Sequence, residues 1–165
     1  MMLYYKKRWE KKERYIRMNN KLIKTTKLLL DFMFFIGILV TVLMFLIIKL
    51  YGRYNIYFKD NAISLTILFS LSGFFAVLVI FELRKIFKTV IDDDCFINEN
   101  VVSLRRMGNY SFLIALITAF RLIIYITPGV IVVVVVFLIA GLFSKVLSQV
   151  FDKAIIYKLE NDLTI

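Results

Sequence analysis

Residues 110–148 read YSFLIALITAFRLIIYITPGVIVVVVVFLIAGLFSKVLS, two long apolar runs joined by the turn-forming pair Pro128-Gly129. At a rise of about 1.5 Å per residue, each run is long enough to cross a hydrocarbon layer of about 30 Å, or nearly so. The valine-rich run 132–136 favours a strand in water, but an open strand in lipid leaves its backbone groups unsatisfied. The stretch therefore predicts an antiparallel pair of membrane-spanning helices.

Two further apolar runs precede this pair, and the whole chain of 165 residues is 61 % hydrophobic. A soluble chain this apolar would need a larger core than its length can build. We therefore predict an all-α protein, an integral membrane four-helix bundle. The predicted parts are a basic segment at 1–26 and a membrane domain at 27–165, with spans at about 27–51, 63–81, 110–127 and 129–148, a loop at 82–109 and a C-terminal helix at 149–165.

The positive charges between the spans alternate from high to low along the chain. Lys and Arg number ten from the N-terminus to Lys27, three from Lys49 to Lys59, five in the loop at 82–109, none in the third connection and three from Lys145 to the C-terminus. Because positive loops stay in the cytoplasm, we predict that the N and C termini and the middle loop are cytoplasmic. The chain is rich in Lys, Ile, Phe and Asn, which suggests an AT-rich coding genome, so we expect the cell membrane of a bacterium. Amphipathic helical extensions are expected at that face, with anionic lipid head groups as partners.

The first 27 residues mix aromatic side chains with basic ones, which is typical of a helix on the membrane surface. Direct nucleic-acid binding is not expected, because no reading motif is visible. A separate hypothesis is that translation begins at Met18, so that residues 1–17 are not part of the natural protein.

Several features argue against an enzyme. The chain has one cysteine, Cys95, and no histidine, which removes the commonest metal ligand and acid–base group. The acidic run at 92–94 lacks the spacing of a calcium loop, so we interpret it as a solvated turn. We expect no catalytic residue, no cofactor and no metal site.

Two charged residues lie within the predicted spans. Arg121 lies six residues before Thr127, about 9 Å below the end of its span. Asp31 lies one turn inside the first span and has Lys27 at helical i,i+4 spacing. Snorkelling of Arg121 and local pairing of Asp31 are the favoured interpretation, a polar pathway is the alternative, and a direct pair between the two is not expected.

Small residues recur at four-residue spacing within each span and predict where helices pack closely. These pairs are Gly37 and Thr41, Ser72 and Ala76, Ala115 and Ala119, and Ser144 and Ser148.

The segments that face the cytoplasm carry the remaining patterns. Asn98 is a reasonable helix N-cap, and Val101, Leu104 and Met107 then share one face. Glu99 is expected to pair with Arg106 or with a basic tail. At the C-terminus an apolar stripe at i,i+4 spacing is expected to bind the middle-loop helix, the membrane surface or a partner. The stripe consists of Leu147, Phe151, Ile155 and Leu159.

Two of these segments resemble a known family. The stretch 96–106, FINENVVSLRR, and the ending 151–165, with KLENDLTI at its end, are similar to the signatures of uncharacterised bacterial membrane proteins called domain of unknown function 2975. The resemblance extends over about 18–165, and Cys95 stands where the pattern has Pro. It implies candidate interaction residues at Phe96, Glu99, Asn100, Leu104, Arg105, Arg106, Phe151, Glu160, Asn161 and Asp162. Members are often encoded beside a small helix-turn-helix regulator, which implies such a regulator as partner.

The sequence therefore predicts a non-enzymatic multi-pass membrane protein that acts through its cytoplasmic face, as a membrane partner or sensor for a helix-turn-helix regulator. A small channel, transporter or immunity-type protein is the alternative. Assembly as a homo-oligomer is left open.

Overall fold

The computed structural model describes the backbone of residues 2–92, 95–124 and 127–162, and the side chains of these residues except 2–20, 57, 124 and 162. Within those ranges every regular element is an α-helix and there is no strand, so the all-α class is confirmed. The helices are α1 (Met2–Val42), α2 (Met44–Tyr51), α3 (Ile56–Asp60), α4 (Ala62–Ile91), α5 (Asn98–Ile124) and α6 (Pro128–Asp162).

Three helical segments are long and apolar enough to cross a membrane, and they indicate a membrane protein. They are Lys21–Val42 in α1, Ala62–Ile91 in α4 and Pro128–Asn161 in α6. At most 17 % of the residues in their most apolar windows are buried inside the protein, so lipid must cover the rest. The span predicted at 110–127 lies in α5 but is not among the three, and residues 125–126 lie outside the described ranges.

The first predicted span, 27–51, is an almost continuous helix. Leu43 separates α1 from α2, but its backbone N–H donates to the Leu39 carbonyl at 3.0 Å and its carbonyl accepts from Ile47 at 3.0 Å. The helical hydrogen-bond pattern therefore runs across the junction. The valine run at 132–136 is helical, as expected, and α6 begins at Pro128, which needs no backbone donor at that position.

Most of the predicted loop at 82–109 is helical, including the helix expected from Asn98. Residues 82–91 continue α4 and residues 98–109 form the first turns of α5, which leaves only 92–97 as the connection. The apolar run ends at Phe81, while the helix continues beyond it to Ile91. The predicted C-terminal helix is present as far as Asp162, and residues 163–165 lie outside the described ranges.

The long helices α1, α4, α5 and α6 pack in chain order, each antiparallel to the next of these four. Helices α1 and α2 pack on α4, α4 packs on α5, and α5 packs on α6. Among the described residues, no Cα atom of α1 or α2 lies within 8 Å of a Cα atom in α5 or α6. The arrangement is therefore open along that side, and the predicted four-helix bundle is not confirmed. We call the end formed by 82–91, 98–106 and 144–161 the polar end, and the other end, near 44–62 and 118–130, the opposite end.

Small side chains lie where neighbouring helices approach most closely. A Cβ atom built on Gly73 would lie 2.7 Å from Thr41 Oγ1, and one on Gly37 would lie 3.1 Å from Val77. On the other side of the molecule, a Cβ on Gly141 would lie 2.8 Å from the Phe112 ring. The small residues Gly37 and Thr41, which were predicted to pack closely on another helix, thus pack on α4. Ala115, Ser144 and Ser148, which belong to the other predicted pairs, are buried.

Candidate functional site

The polar end is organised around a buried carboxylate, that of Glu82 on α4. Only 3 % of this residue is exposed. Ser103 Oγ of α5 donates to Oε2 at 2.9 Å, Lys85 Nζ lies 3.2 Å from the same oxygen, and Arg106 Nη1 lies 3.5 Å from Oε1. A buried charge requires such partners, since water cannot solvate it. Glu82 therefore joins α4 to α5 through its side chain.

A polar groove opens beside this carboxylate. Its volume is about 710 Å³, and it lies between the last turns of α4 and the first turns of α5. The charged residues that line it are Lys85, Lys88, Asp92, Glu99 and Arg106. All five are exposed at least in part, so the groove presents charges of both signs to solvent.

The connection at 92–97 is fixed by a buried amide. Asn100 is 1 % exposed, and its Nδ2 donates to Thr89 Oγ1 and to the Cys95 carbonyl oxygen, both at 2.7 Å. One side chain thus links the end of α4, the connection and the start of α5. These hydrogen bonds stabilise the fold, because a buried amide without a partner lowers the free energy of unfolding by about 1–3 kcal/mol.

An apolar cluster lies under the groove and includes α6. Ile86, Leu104 and Met107 are buried, with Leu147 and Phe151 packed against them. Phe96 adds its ring to that of Phe151, with centroids 5.3 Å apart. The C-terminal stripe on α6 therefore packs on the first turns of α5 through Leu147 and Phe151. Further along the stripe, Ile155 is buried, while Leu159 is 57 % exposed.

The predicted interaction residues fall into two groups. Asn100 and Leu104 are buried and contact neighbouring helices from within the protein. Phe151 is half-buried in the same cluster. The exposed members are Phe96, Glu99, Arg105, Arg106, Glu160 and Asn161, whereas the side chain of Asp162 lies outside the described residues.

Two predicted ion pairs are corrected. Asp31 accepts from Nε of Arg84 on α4 at 2.5 Å, and not from Lys27. The guanidinium carbon of Arg84 also lies 4.4 Å from the centroid of the Phe34 ring. Arg106 pairs with Glu82, and not with Glu99. In both cases the partner lies on residues 82–91 of α4. These residues are helical, although they fall within the predicted loop.

Arg121 lies at the opposite end, far along α5 from Arg106. Its guanidinium carbon is 4.5 Å from the centroid of the Phe69 ring, and its Nε is buried with no hydrogen-bond partner among the described residues. It lines a cavity of about 450 Å³ between α2, α4, α5 and α6. As expected, Asp31 and Arg121 do not pair, since Asp31 bonds to Arg84 near the polar end.

The family model described as Protein of unknown function (DUF2975) matches residues 53–165. The chain belongs to this family. The match includes α3 to α6 and starts after α2, so it is shorter at the N-terminal side than the predicted resemblance over 18–165. No curated protein and no solved structure matches the chain.

The family description names no activity, so the chemistry must be argued from the residues themselves. Among the side chains that the structure describes, no group of three or more Asp, Glu or Cys could hold a metal ion. Asp93 and Asp94 of the acidic run lie outside the described ranges. The described groups at the polar end can bind and orient charged partners through Lys85, Lys88 and Arg106.

Sequence reasoning missed Glu82, Ser103 and Arg84. The sequence does carry one signal for Glu82 and Ser103. Glu82 and Lys85 are spaced i,i+3 and share one helix face, and Ser103 and Arg106 do the same. If residues 82–91 are read as helix, these two faces lie opposite each other on neighbouring helices. The Asp31–Arg84 pair has no comparable local signal, because its members are 53 residues apart.

Proposed function

We propose that this member of the family is a non-enzymatic, multi-pass membrane protein whose four apolar helices span the bacterial plasma membrane. They hold the polar end in the cytoplasm, where it binds a small helix-turn-helix transcription regulator. The protein then acts as a membrane anchor or sensor for that regulator. Anionic lipid head groups bind the basic residues that flank the partner's site.

The observation that supports this proposal is a set of exposed side chains at the polar end, above a buried network of hydrogen bonds. We call this set the docking face; it consists of Lys88 and Arg106, which line the polar groove, together with Phe96 and Arg105. All four are exposed, while the groups beneath them, Glu82 and Asn100, are buried and hydrogen-bonded. Aromatic and Arg side chains on a rigid support are the common anchors of protein interfaces. Their charge favours an acidic surface on the partner.

Co-purification tests the proposal directly. The tagged full chain is extracted from native membranes in an uncharged detergent, and bound proteins are identified by mass spectrometry. We expect a helix-turn-helix protein to be enriched over an untagged sample. The variant Lys88→Gln/Arg105→Gln should lower that enrichment several-fold, since both exposed charges leave the docking face.

The matched control is Lys49→Gln/Lys59→Gln, which removes two exposed charges at the opposite end. It should retain the regulator at the level of the unchanged protein. If no helix-turn-helix protein is enriched, or if both double variants lose it equally, the docking proposal is wrong.

A small channel, transporter or immunity-type protein is the second candidate, and it has less support. A pathway through the helices needs polar groups in line across the membrane. Asp31 and Arg121 lie at different levels, and Asp31 is already paired with Arg84. Ion flux into liposomes containing the purified protein, compared with Arg121→Leu, distinguishes the two candidates.

A further inference from the structure

Arg121 is a charged residue in apolar surroundings, and its position at two adjoining cavities points to a ligand. The first cavity, of about 450 Å³, lies between α2, α4, α5 and α6. A second, of about 440 Å³, lies beside it towards Tyr51 and Asn55. Arg121, Phe69, Met44 and Thr127 line both. The guanidinium therefore lies where the two spaces meet.

The hydrogen bonding of Arg121 is incomplete within the protein. A guanidinium carries five N–H donors and keeps its charge at any ordinary pH. Its Nε is buried without a partner among the described residues, and no acidic residue lines either cavity. The Phe69 ring faces the guanidinium at 4.5 Å, which stabilises the cation in part but accepts no N–H bond in the plane of the group. An anion is the missing counterpart.

The remainder of the first cavity fits a hydrocarbon chain. Its lining is mostly apolar, from Leu68, Ile114, Ile117, Val130, Val133 and Phe137, with a few hydroxyl groups from Ser72, Thr118 and Thr127. A space of this size, mostly apolar with a few polar groups, is typical of sites for small ligands. It occupies the side on which α2 and α6 do not pack on each other.

We propose that this cavity binds an anionic membrane amphiphile. Its phosphate or carboxylate head group pairs with Arg121, and one acyl chain fills the apolar space between α2 and α6. The depth agrees with this: Arg121 is three residues from the end of α5 at Ile124, about 4.5 Å along the helix, which is within reach of a lipid head group. The acyl chain of the amphiphile fills the space that the helices leave open between them. This site is separate from the docking face and does not depend on it.

Binding to the purified full chain tests the proposal. The protein is stripped of lipid in an uncharged detergent and titrated separately with phosphatidylglycerol, phosphatidylcholine, palmitate and inorganic phosphate. Native mass spectrometry counts the bound molecules. We expect one phosphatidylglycerol or palmitate per chain, bound roughly tenfold or more tightly than phosphatidylcholine, because a charge-assisted bond to Arg121 is gained. Inorganic phosphate alone should not be retained, since it lacks the chain. Preference between phosphatidylglycerol and palmitate identifies the head group.

Three variants locate the site. Arg121→Gln should weaken phosphatidylglycerol binding roughly tenfold or more, and Arg121→Lys should retain most of it, because the charge remains. Ser72→Phe should weaken binding by filling the cavity without removing a charge. Arg53→Gln, which removes an exposed charge at the same end, should bind as the unchanged protein does.

Several outcomes would overturn the inference. One is equal binding of phosphatidylglycerol and phosphatidylcholine to the unchanged chain. Another is an equal loss in Arg53→Gln and Arg121→Gln, which would indicate attraction to the surface. If Arg121→Gln does not fold, the lipid comparison and Ser72→Phe still decide the matter, and unchanged binding to Ser72→Phe rejects the cavity.

Discussion

Three charged residues beside apolar segments differ in the ion-pair and hydrogen-bond partners that the protein provides for them. Asp31 has one ion-pair partner, Arg84, and both side chains are about 30 % exposed (28 % for Arg84, 32 % for Asp31). Glu82 is buried and has Ser103, Lys85 and Arg106 around it. Arg121 has an aromatic neighbour and an unpaired Nε within the described part of the chain. The first two therefore join helices, whereas the third is suited to an external anion.

The stability of the polar end should depend on the charge of Glu82. Glu82→Gln keeps the shape but weakens the bonds from Ser103, Lys85 and Arg106, so we expect a loss of about 1–3 kcal/mol in unfolding free energy. The loss is smaller than for a fully buried pair, because Lys85 and Arg106 are 44 % and 54 % exposed and can turn to water. Thermal unfolding in detergent measures it, with Glu99→Gln as the exposed control. Equal melting temperatures for the two variants would contradict the prediction.

The amide of Asn100 should control access to Cys95. Asn100→Ala removes both bonds that hold the connection, to Thr89 and to the Cys95 carbonyl. Because Cys95 is the sole cysteine of the chain and is half-buried, its rate of reaction with a maleimide reports on opening of this segment. We expect the rate to rise roughly 5–30-fold, which corresponds to about 1–2 kcal/mol. Asn109→Ala, at an exposed position further along α5, is the control and should change the rate little.

At the scale of the elements, α5 and α6 pack closely at two glycines. A Cβ on Gly108 would lie 3.1 Å from the Gly141 carbonyl oxygen, and one on Gly141 would meet the Phe112 ring at 2.8–3.0 Å. In lipid the hydrophobic effect does not drive helices together, so such close backbone contacts carry much of the association. The two glycines thus determine the separation of these helices.

A single methyl group at Gly141 should therefore separate α5 from α6. We expect Gly141→Ala to cost about 1–3 kcal/mol through overpacking against Phe112. Gly129→Ala is the matched control, because a Cβ there meets nothing within 4 Å. Phe112→Leu combined with Gly141→Ala should recover part of the loss. Melting temperatures of the three variants measure this, and an unchanged Gly141→Ala would show that the helices are not in close contact there.

The sequence predicted the helices well but not which faces meet. Apolar runs and the pair Pro128-Gly129 located α4, α5 and α6, because length and hydropathy alone mark helices in lipid. A helix covered by lipid is apolar on all sides, so the pattern does not reveal its inner face. The pairing of Arg106 with Glu82 has a different reason: α4 continues to Ile91, ten residues beyond the end of the apolar run at Phe81. Near the C-terminus, where water covers one side, periodicity did predict the packed stripe as far as Ile155.

For the whole molecule, the two ends differ in charge in a way that predicts its orientation. If four helices span the membrane, most basic residues belong to one side of it. They lie in the N-terminal segment, the last turns of α4, the first turns of α5 and the end of α6. The connection between α5 and α6 carries no basic residue. The positive-inside rule therefore predicts that the polar end faces the cytoplasm, which the proposed binding of a soluble regulator requires.

Thiol labelling of single-cysteine proteins tests that orientation. In a Cys95→Ser background, Tyr54→Cys and Asp92→Cys place an exposed cysteine at the opposite end and at the polar end, respectively. A membrane-impermeant maleimide applied to intact spheroplasts should label Tyr54→Cys and should label Asp92→Cys only after permeabilisation. Both sites are exposed, so a difference between them reports the side of the membrane and not burial. The reverse pattern would place the docking face outside the cell, where no transcription regulator could bind it.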